Sequence, residues 1–351
     1  MTFTPLNCER RSPDELAPGE WLAVHIFYVA DRGPLLTRCV RPLLDTLNGE
    51  GLISGHFFVR HWLEGTHLRL RIRPRAGCVD RVREIVDQDV RAFLEREPSV
   101  YDPERDFDDD LYKLRFLNEF SQEQWTERYG SGSQMPRNDN DTFDYFEYVP
   151  ETERYGGPRG VELAEWHAEH SSDLVIRLLD SHNVGVRTVL LGLGIQSMLT
   201  MAYAFTDDPR HAARLFAAYS AGWERMFGSE YPRYEQAYQE MADKLGARVR
   251  RIHLAVSEES FGGLPEFVRE WFEHCTDMRA RLAKAADDGS LFHPDTGKPL
   301  SSLADGGDET ASTSLVLSYM HLMNNRMGIT VSTENYLSYV LRRAIEDQFP
   351  A

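Results

Sequence analysis

Three arginines alternate with aliphatic residues in the segment HLRLRIR, at positions 69, 71 and 73. Successive side chains of a β-strand point to opposite faces, so this alternation places the three guanidinium groups on one face of a sheet. Such a face is either exposed to solvent or a site for a carboxylate or oxyanion, which arginine binds with paired hydrogen bonds. The pattern therefore marks Arg69, Arg71 and Arg73 as candidate anion-binding residues.

A second candidate is the turn YVPETERYGG, in which Glu151 precedes Arg154 by three residues and follows an aromatic, strand-like run. The glycines Gly156 and Gly157 permit a tight change of direction. The pair Glu151 and Arg154 is either a surface ion pair of small energetic value or part of a functional turn. TERYG also occurs at 126–130, where Gly, Ser, Asn and Asp predict a loop; the flanks differ, so the two copies are not an internal repeat.

A third candidate is the late apolar segment SLVLSYMHLMNNR, which predicts a helix with Ser314, Ser318, His321 and Asn325 at spacings of four, three and four. A polar stripe on an otherwise buried helix indicates a cleft or a hydrogen-bonded network. His321 can exchange a proton near neutral pH. It is either a structural histidine or an acid–base residue.

Motifs for metals and cofactors do not emerge from the sequence. The histidines of EWHAEH at 165–170 have neither HExxH spacing nor its inverse, and GLG at 192–194 lacks the strand–turn–helix setting of a nucleotide fingerprint. Neither a P-loop nor a GxSxG elbow is present. We therefore expect no metal and no cofactor.

The elements that must position these residues predict an α+β fold. Aromatic and β-branched runs predict four strands and apolar periodicity predicts two helices, in the order β-α-β-β-α-β of a split βαβ (ferredoxin-like) sheet. The strands are expected at 21–30, 55–62, 67–73 and 144–149, and the helices at 34–49 and 79–96.

Beyond this sheet the pattern is almost wholly helical, and two polar stretches, 98–142 and 288–310, predict long loops. We expect three parts packed together as one domain: an N-terminal extension, a mixed α/β part and a helical part, at 1–20, 21–160 and 161–351.

Composition excludes several classes of protein. A net charge of −17 and a pI near 5.2 disfavour direct binding of nucleic acid. The four dispersed cysteines predict neither a disulfide framework nor a zinc site, and the N-terminal segment has no signal-peptide core, which favours the cytoplasm. The apolar stretch 186–205 contains Gln196, Ser197 and Thr200, so we expect a buried core helix and no membrane span.

Three features in this order, the hairpin FFVRHW…HLRLRIR, the turn YxxExxRYGG and the late helix HxxxNR, resemble the elimination domain at the C-terminus of lantibiotic dehydratases. The resemblance extends from about Trp21 to Arg343. The same domain also occurs as a free-standing chain, known as a thiopeptide-type bacteriocin biosynthesis protein. The second TERYG alone fits the YxxExxRYGG frame. A longer loop before this turn distinguishes the chain from the fused lantibiotic enzymes.

This resemblance implies a lyase that works as the small subunit of a split, tRNA-dependent dehydratase. A larger partner would glutamylate Ser or Thr of a precursor peptide, and this chain would eliminate glutamate to leave dehydroalanine or dehydrobutyrine. By similarity, Arg69 and Arg71 match the family's arginine strand, Glu151 and Arg154 match its turn, and His321 matches its acid–base histidine.

Two alternatives remain at this stage. The family also contains free-standing enzymes that form the pyridine core of thiopeptides by a formal [4+2] cycloaddition, which would not need the glutamate-binding set. A chain that keeps the fold without catalysis would instead be a peptide-recruiting subunit.

Overall fold

The computed structural model describes residues 9–100, 109–132, 134–227, 230–300 and 309–350. They divide into two compact units. The first comprises Met1–Glu151 together with Ser171–Ser181, and the second comprises Thr152–His170 together with His182–Ala351. The first unit contains a small four-stranded antiparallel sheet, and the rest of the described chain is mainly helical. The predicted α+β class is therefore confirmed.

The first unit contains the sheet together with helices that connect its strands. Asp31 caps the first helix through the Gly33 N–H, and the helix passes through one π-helical stretch before it continues. In chain order the elements are β1 (Leu22–Phe27), α1 (Arg32–Leu35, continued by Leu36–Val40), α2 (Arg41–Gly49), β2 (Ile53–His61), β3 (His67–Pro74), α3 (Val79–Arg96), α4 (Asp109–Glu119), α5 (Gln122–Tyr129) and β4 (Thr142–Phe146).

The strands are ordered β2-β3-β1-β4, and every neighbouring pair is antiparallel. Register places Leu70 beside Val24 and Val24 beside Tyr145, so these residues share one face. The Tyr145 hydroxyl donates to Asp87 of α3 at 2.7 Å, which shows that α3 packs on this aliphatic face. The opposite face carries the arginines, as the period of two predicts.

The sequence prediction was wrong about much of the loop at 98–142. Residues 109–119 and 122–129 are helical, so the first TERYG lies in α5 and not in a loop. Ser121 and Gln124 form a capping box that starts α5. Buried apolar side chains then hold both helices against the end of the β2–β3 hairpin: Trp62, Leu63, Phe116, Trp125 and Met135.

The fourth strand also differs from its prediction, because it begins at Thr142 and ends at Phe146 instead of spanning 144–149. After Phe146 the chain leaves β1, and the Glu147 N–H donates to the Glu9 carbonyl at 2.8 Å. An isolated bridge joins Arg10 to Phe146, so the N-terminal segment occupies the outer edge of β4.

The second unit is built from helices. The long helix α6 (Pro158–Ser181) contributes its first part to this unit, whereas Ser171–Ser181 belong to the first unit. The remaining helices are α7 (Arg187–Phe205), α8 (Pro209–Phe227), α9 (Tyr231–Ser257), α10 (Glu266–Asp287), α11 (Glu309–Met327) and α12 (Val331–Gln348). Helix α12 packs against both α8 and α9, and α7 packs against α10.

Helix α7 is the apolar stretch noted in the sequence. Among the described residues it is the one helix whose length and composition would allow it to cross a membrane, and 61% of that window is buried inside the protein. The Trp271 indole N–H donates to the Ser197 carbonyl of α7 at 3.1 Å, which ties it to α10. Burial of this kind is typical of a core helix.

The second polar stretch, 288–310, is only partly described, since 301–308 lie outside the described residues. Its described part, 288–300, contains turns and one isolated bridge between Phe292 and Pro299, which agrees with the predicted loop. The side chains of Leu291 and Leu300 are nevertheless buried. Helix α11 already begins at Glu309.

Candidate functional site

The arginine face of the sheet is buried, not solvated. Arg69 and Arg71 are only 4% and 5% exposed, which excludes the simple solvent-facing alternative for both. Register places Arg69 beside His25 of β1 and beside Val59 of β2, so the guanidinium-bearing side chains share their face with residues of both neighbouring strands. Burial of a charged group is costly unless polar partners compensate it, so these two positions are unusual.

Arg69 is held by a chain of two hydrogen bonds. Its Nε–H donates to Nε2 of His67 at 3.0 Å, while Nδ1 of His67 lies 2.7 Å from the Gly65 carbonyl oxygen. The carbonyl can only accept, so Nδ1 carries the proton and Nε2 offers its lone pair to Arg69. Burial and the neighbouring Arg69 charge hold the pKa of His67 well below its usual value, which keeps the ring neutral.

Arg71 and Arg73 lie among aromatic rings. The Arg71 guanidinium carbon is 5.4 Å from the Tyr148 ring centre and 5.8 Å from that of Phe57. Arg73 stacks more closely, at 3.9 Å from the Trp21 ring centre, and is more exposed than Arg71. Cation–π contacts of this type orient a guanidinium without neutralising its charge. Arg69 and Arg71 are therefore the two most buried arginines of the strand.

The turn of the second TERYG is shaped by its glycines. Gly156 and Gly157 have φ of 75° and 102°, values that side-chain-bearing residues rarely adopt. A Cβ at Gly156 would lie 2.3 Å from the Phe292 carbonyl oxygen, and the Phe292 N–H donates to the Gly156 carbonyl at 2.8 Å. The backbone is thus packed too closely for any other residue, which confirms the predicted tight turn.

This turn contacts helix α11 through stacked tyrosines. The rings of Tyr155 and Tyr319 are 5.5 Å apart with an interplanar angle of 19°, and the Arg154 guanidinium lies 5.5 Å from the Tyr155 ring centre. Burial raises the pKa of Tyr319 well above its usual value, while the charge of Arg154 acts in the opposite direction. Arg154 and His321 both belong to the second unit, and one residue of α11, Met320, separates His321 from the stacked Tyr319.

The first TERYG has a different environment. Arg128 forms a half-buried ion pair with Glu64, with Nη2 2.8 Å from Oε1, and the Tyr129 hydroxyl donates to the same oxygen at 3.0 Å. Glu64 lies in the β2–β3 connection with φ of 58°. The first TERYG therefore binds α5 to the β2–β3 hairpin, whereas the second forms the tight turn next to α11.

His321 is bonded to a buried carboxylate. Its Nδ1 is 3.1 Å from Oε1 and 3.0 Å from Oε2 of Glu334, whose side chain is fully buried. The Tyr219 hydroxyl of α8 donates to Oε2 of the same carboxylate. Burial, and then the charge of Glu334, raise the pKa of Tyr219 well above its usual value, so its proton stays in place. The Trp223 ring lies 5.3 Å from the imidazole.

A short helix–turn–helix connection brings His321 and Glu334 together. Helix α11 ends at Met327, Gly328 adopts φ of 88°, and the Ile329 N–H donates to the Asn324 carbonyl at 2.9 Å. Thr330 then precedes the first residue of α12. The turn folds the start of α12 back against the end of α11, and the Glu334 carboxylate at Nδ1 fixes the orientation of the His321 ring.

The polar stripe of α11 is confirmed in part. Ser318 is buried, as the stripe predicts, and Ser314 and Asn325 are half-buried. The adjoining face of α12 continues the polar set, since the Ser220 hydroxyl donates to Asn335 at 2.7 Å and the Ser338 hydroxyl donates to the Glu334 carbonyl at 2.7 Å. A hydrogen-bonded network surrounds His321.

The sequence did not identify Glu334, Tyr219 or His67 as candidates. Glu334 lies in the first turn of α12, where glutamate is common because it favours the positive end of the helix dipole. The available signal was that Glu334, Asn335 and Ser338 are spaced so as to share a helix face with the apolar residues Leu337 and Leu341. His67 directly precedes the arginines in alternation with them, so the period of two already placed it on their face.

The structure separates the five predicted residues between the two units. Arg69, Arg71 and Glu151 belong to the first, and Arg154 and His321 belong to the second. The histidines of EWHAEH also belong to the second unit. Nε2 of His274 is 3.0 Å from Nδ1 of His167, the His274 ring stacks on His170, and the His167 ring lies 5.0 Å from that of Tyr319. Of the residues described by the structure, no group of three or more His, Cys, Asp or Glu is arranged to hold a metal ion.

Comparison with known proteins assigns the chain to a family. The profile named lantibiotic biosynthesis dehydratase C-term matches residues 21–345. The chain belongs to that family. No curated protein sequence matches it.

Solved structures share the fold of this dehydratase-family chain. A pyridine synthase, TbtD, from thiomuracin biosynthesis superimposes with a TM-score of 0.70 at 18% identity, over 93% of this chain and 98% of that chain. TsrL superimposes with a TM-score of 0.62 at 18% identity, over 95% of each chain. The tRNA-dependent lantibiotic dehydratase MibB from Microbispora sp. 107891 gives 0.52 at 19% identity, over 99% of this chain but 29% of that chain. At these identities the likeness concerns the fold.

Proposed function

We propose that the chain is a lyase that eliminates glutamate from glutamylated Ser or Thr of a ribosomally made precursor peptide. The products are dehydroalanine or dehydrobutyrine, and the chain acts as the small subunit of a split, tRNA-dependent dehydratase. Membership of the lantibiotic dehydratase family supports this assignment at the coarse level. The particular reaction is supported by the chemistry of the site residues.

The observation that carries the proposal is the burial of Arg69 and Arg71 on one sheet face. Arg69 is held by a neutral imidazole, and Arg71 contacts aromatic rings. Guanidinium groups in a water-poor setting stabilise an anion more strongly than they do in water. Both the departing glutamate and the enolate that develops on the peptide are anions, so Arg69 and Arg71 are proposed to bind them.

His321 is proposed to move the proton. Glu334 fixes its Nδ1–H, so that Nε2 exchanges the proton of the reaction, and Glu334 is accordingly a positioning residue. Glu151 and Arg154 complete the set that the family resemblance implies, with Arg154 held beside the Tyr155–Tyr319 stack. Each of these roles is open to a separate substitution test.

The reaction needs no external oxidant or reductant. A base accepts the α-proton, the electron pair of the Cα–H bond forms the Cα=Cβ double bond, and the Cβ–O ester bond breaks. Glutamate leaves with the electron pair of that bond as a carboxylate. We accordingly propose that the chain works without metal or cofactor.

The partners follow from this chemistry. We propose a glutamylating large subunit that handles the aminoacyl-tRNA, and the net charge of −17 on this chain agrees with the absence of direct nucleic-acid binding. The setting would be the cytoplasm. We further propose that the sheet is of the ferredoxin-like type, which the strand order supports. We also propose that the parts 21–160 and 161–351 work as one elimination domain after the extension 1–20.

A direct assay tests the proposal. The purified chain is given a chemically or enzymatically glutamylated peptide, and mass spectrometry follows loss of glutamic acid, with and without a chelator. Retention of the glutamyl group, or loss that the chelator abolishes, would contradict the proposal.

A second candidate function is the pyridine-forming [4+2] cycloaddition. It is favoured by the superposition on the pyridine synthase TbtD over nearly the whole of both chains. A peptide with two pre-formed dehydroalanines separates the two activities, since a cycloaddition enzyme would convert it and an eliminating enzyme would leave it unchanged. Binding of peptide without any change in mass would indicate a recruiting subunit instead.

A further inference from the structure

Tyr219 of α8 is a buried tyrosine whose hydroxyl bonds to a buried acid. It is 1% exposed, and its hydroxyl donates to Oε2 of Glu334, whose side chain is fully buried. The same carboxylate lies 3.0 Å from Nδ1 of His321 through Oε2 and 3.1 Å through Oε1. Side chains from α8, α12 and α11, all within the second unit, thus form one chain of hydrogen bonds: Tyr219, Glu334 and His321.

The attachment of α8 to α12 keeps Tyr219 in place. The next residue of α8, Ser220, donates to Oδ1 of the next residue of α12, Asn335, at 2.7 Å. Two consecutive residues of α8 therefore bond to two consecutive residues of α12. One turn further along α8, the Trp223 ring lies 5.8 Å from the Tyr219 ring. The position of Tyr219 thus does not depend on its bond to Glu334 alone.

Glu334 carries a charge that burial disfavours. A carboxylate removed from water needs hydrogen-bond donors, and without them it takes up a proton. Among the described residues, His321 and Tyr219 are the side chains that bond to it. Burial, and then the charge of Glu334, raise the pKa of Tyr219 well above its usual value, so this hydroxyl is a donor that stays neutral. His321 differs, because an imidazole can gain or lose a proton near neutral pH.

We propose that Tyr219 is a positioning residue that keeps the Glu334 carboxylate ionised and thereby sets the proton affinity of His321. The bond from the neutral hydroxyl stabilises the carboxylate most when His321 is neutral, because an imidazolium already shares that charge. Loss of the hydroxyl therefore favours the state in which the His321–Glu334 pair holds an additional proton. This inference rests on the proposed function in one respect, namely that His321 moves the proton of the elimination.

The test compares two changes at position 219 that act on the hydrogen bond in opposite directions. Tyr219→Phe removes the hydroxyl and keeps the ring. Tyr219→3-fluorotyrosine keeps the hydroxyl and makes it a stronger donor, because fluorine withdraws electrons from the ring. The histidine rings are labelled with carbon-13, the His321 signal is assigned by its loss in His321→Phe, and its shift is followed by NMR between about pH 5 and pH 9. Thermal melting confirms that each variant is folded.

We expect Tyr219→Phe to move the midpoint of the His321 titration to higher pH by about one unit, since a hydrogen bond to a charged group has that scale. Tyr219→3-fluorotyrosine should move the midpoint to lower pH. Two controls should leave it unchanged. Ser220→Ala breaks the adjacent bond between the same two helices, and Tyr238→Phe breaks the tyrosine–carboxylate pair with Asp347.

A midpoint that is the same in the original chain and in both Tyr219 variants would overturn the proposal, as would an equal shift in Ser220→Ala. A purely structural tyrosine would lower the melting temperature without moving the midpoint. Should Tyr219→Phe fail to fold, the fluorinated variant decides, because it must move the midpoint to lower pH.

The titration needs no substrate, so it is independent of the proposed reaction. If the midpoint moves as expected but no glutamate is eliminated from a glutamylated peptide, the proposed function fails while the role of Tyr219 stands. If glutamate is eliminated and the midpoint does not move, the reverse holds.

Discussion

The change Glu334→Gln removes the carboxylate that orients His321 while it preserves the volume of the side chain. In the structure both oxygens lie within 3.1 Å of His321 Nδ1, and Oε2 also accepts the Tyr219 hydroxyl. The amide has one oxygen and one NH₂ group. If the NH₂ faces His321, the ring must accept at Nδ1 and carry its proton at Nε2, which is the wrong tautomer for a base.

The expected loss of rate can be estimated from the contribution of an oriented acid–base residue. A positioned acid–base group contributes about 10²–10⁴-fold to a rate, and we expect Glu334→Gln to lose most of that contribution. Folding should change little, because the amide fills the same buried space and still accepts one hydrogen bond. Glu334→Leu, in contrast, leaves the buried Tyr219 hydroxyl and His321 Nδ1 without this acceptor, at a cost of about 1–3 kcal/mol for each group.

The assay is single-turnover loss of glutamic acid from a glutamylated peptide, with melting temperatures measured in parallel. Helix α12 offers a matched control, since the Tyr238 hydroxyl donates to Asp347 at 2.6 Å in a second tyrosine–carboxylate pair. Asp347→Asn should eliminate at the original rate. A Glu334→Gln variant that keeps its rate, or an Asp347→Asn variant that loses it equally, would refute the assignment of Glu334 as the residue that orients His321.

The remaining predictions concern the two TERYG copies, the glycine turn and acid stability. With Arg154→Ala, glutamylated peptide should accumulate in the mass spectrum. Arg128→Ala loses an ion pair worth about 0.2–1 kcal/mol and should eliminate glutamate normally. Equal loss of activity in the two variants would contradict the distinction between the two TERYG copies. Gly156→Ala should lower the melting temperature more than Gly289→Ala does. Both glycines have positive φ, so alanine costs about 1–2 kcal/mol of strain at either position, but only at Gly156 does the added Cβ collide with backbone. Equal shifts in melting temperature would count against this close packing. Buried histidines with depressed pKa remain neutral in the folded protein while the unfolded chain protonates them below about pH 6.5, so each should lower the free energy of unfolding by up to about 1.4 kcal/mol per pH unit as the pH falls. Melting temperatures measured between pH 7 and 5 check this, and a flat profile would contradict it; the residues concerned are His25, His67 and His167.

The strand of arginines shows what periodicity can and cannot establish. The alternation of Leu68, Leu70 and Ile72 with the arginines correctly placed the guanidinium groups on one face. It left open whether that face is solvated, because burial depends on residues far away in sequence. His67 shares the same alternation, but its hydrogen bond with Arg69 is evident only from the three-dimensional structure.

The start of helix α5 could have been predicted from the sequence, but other residues favoured a loop. Ser121 and Gln124 have the spacing of a capping box, which predicts a helix start. The Gly, Ser and Asn residues that follow Tyr129 favoured a loop for the whole stretch. The buried Trp125 contacts Phe116 at 5.1 Å between ring centres, and this tertiary packing decides the local structure.

The partner of His321 could not be predicted from spacing alone. Glu334 is thirteen residues away, and whether it faces His321 depends on how Gly328 turns the chain between the two helices. Helical periodicity gives the face of each helix, but it does not give the angle between them. The polar stripe of α11 pointed to a network without identifying its acidic member.

Mass spectrometry of a glutamylated peptide shows directly whether this chain eliminates glutamate. The purified chain, without its large partner, is mixed with a pre-glutamylated peptide, and intact-mass and fragment spectra are recorded over time. We expect loss of one glutamic acid for each glutamylated Ser or Thr, with a dehydroamino acid at that position. A glutamylated peptide that persists unchanged, while a bis-dehydroalanine peptide is converted to a pyridine product, would contradict it.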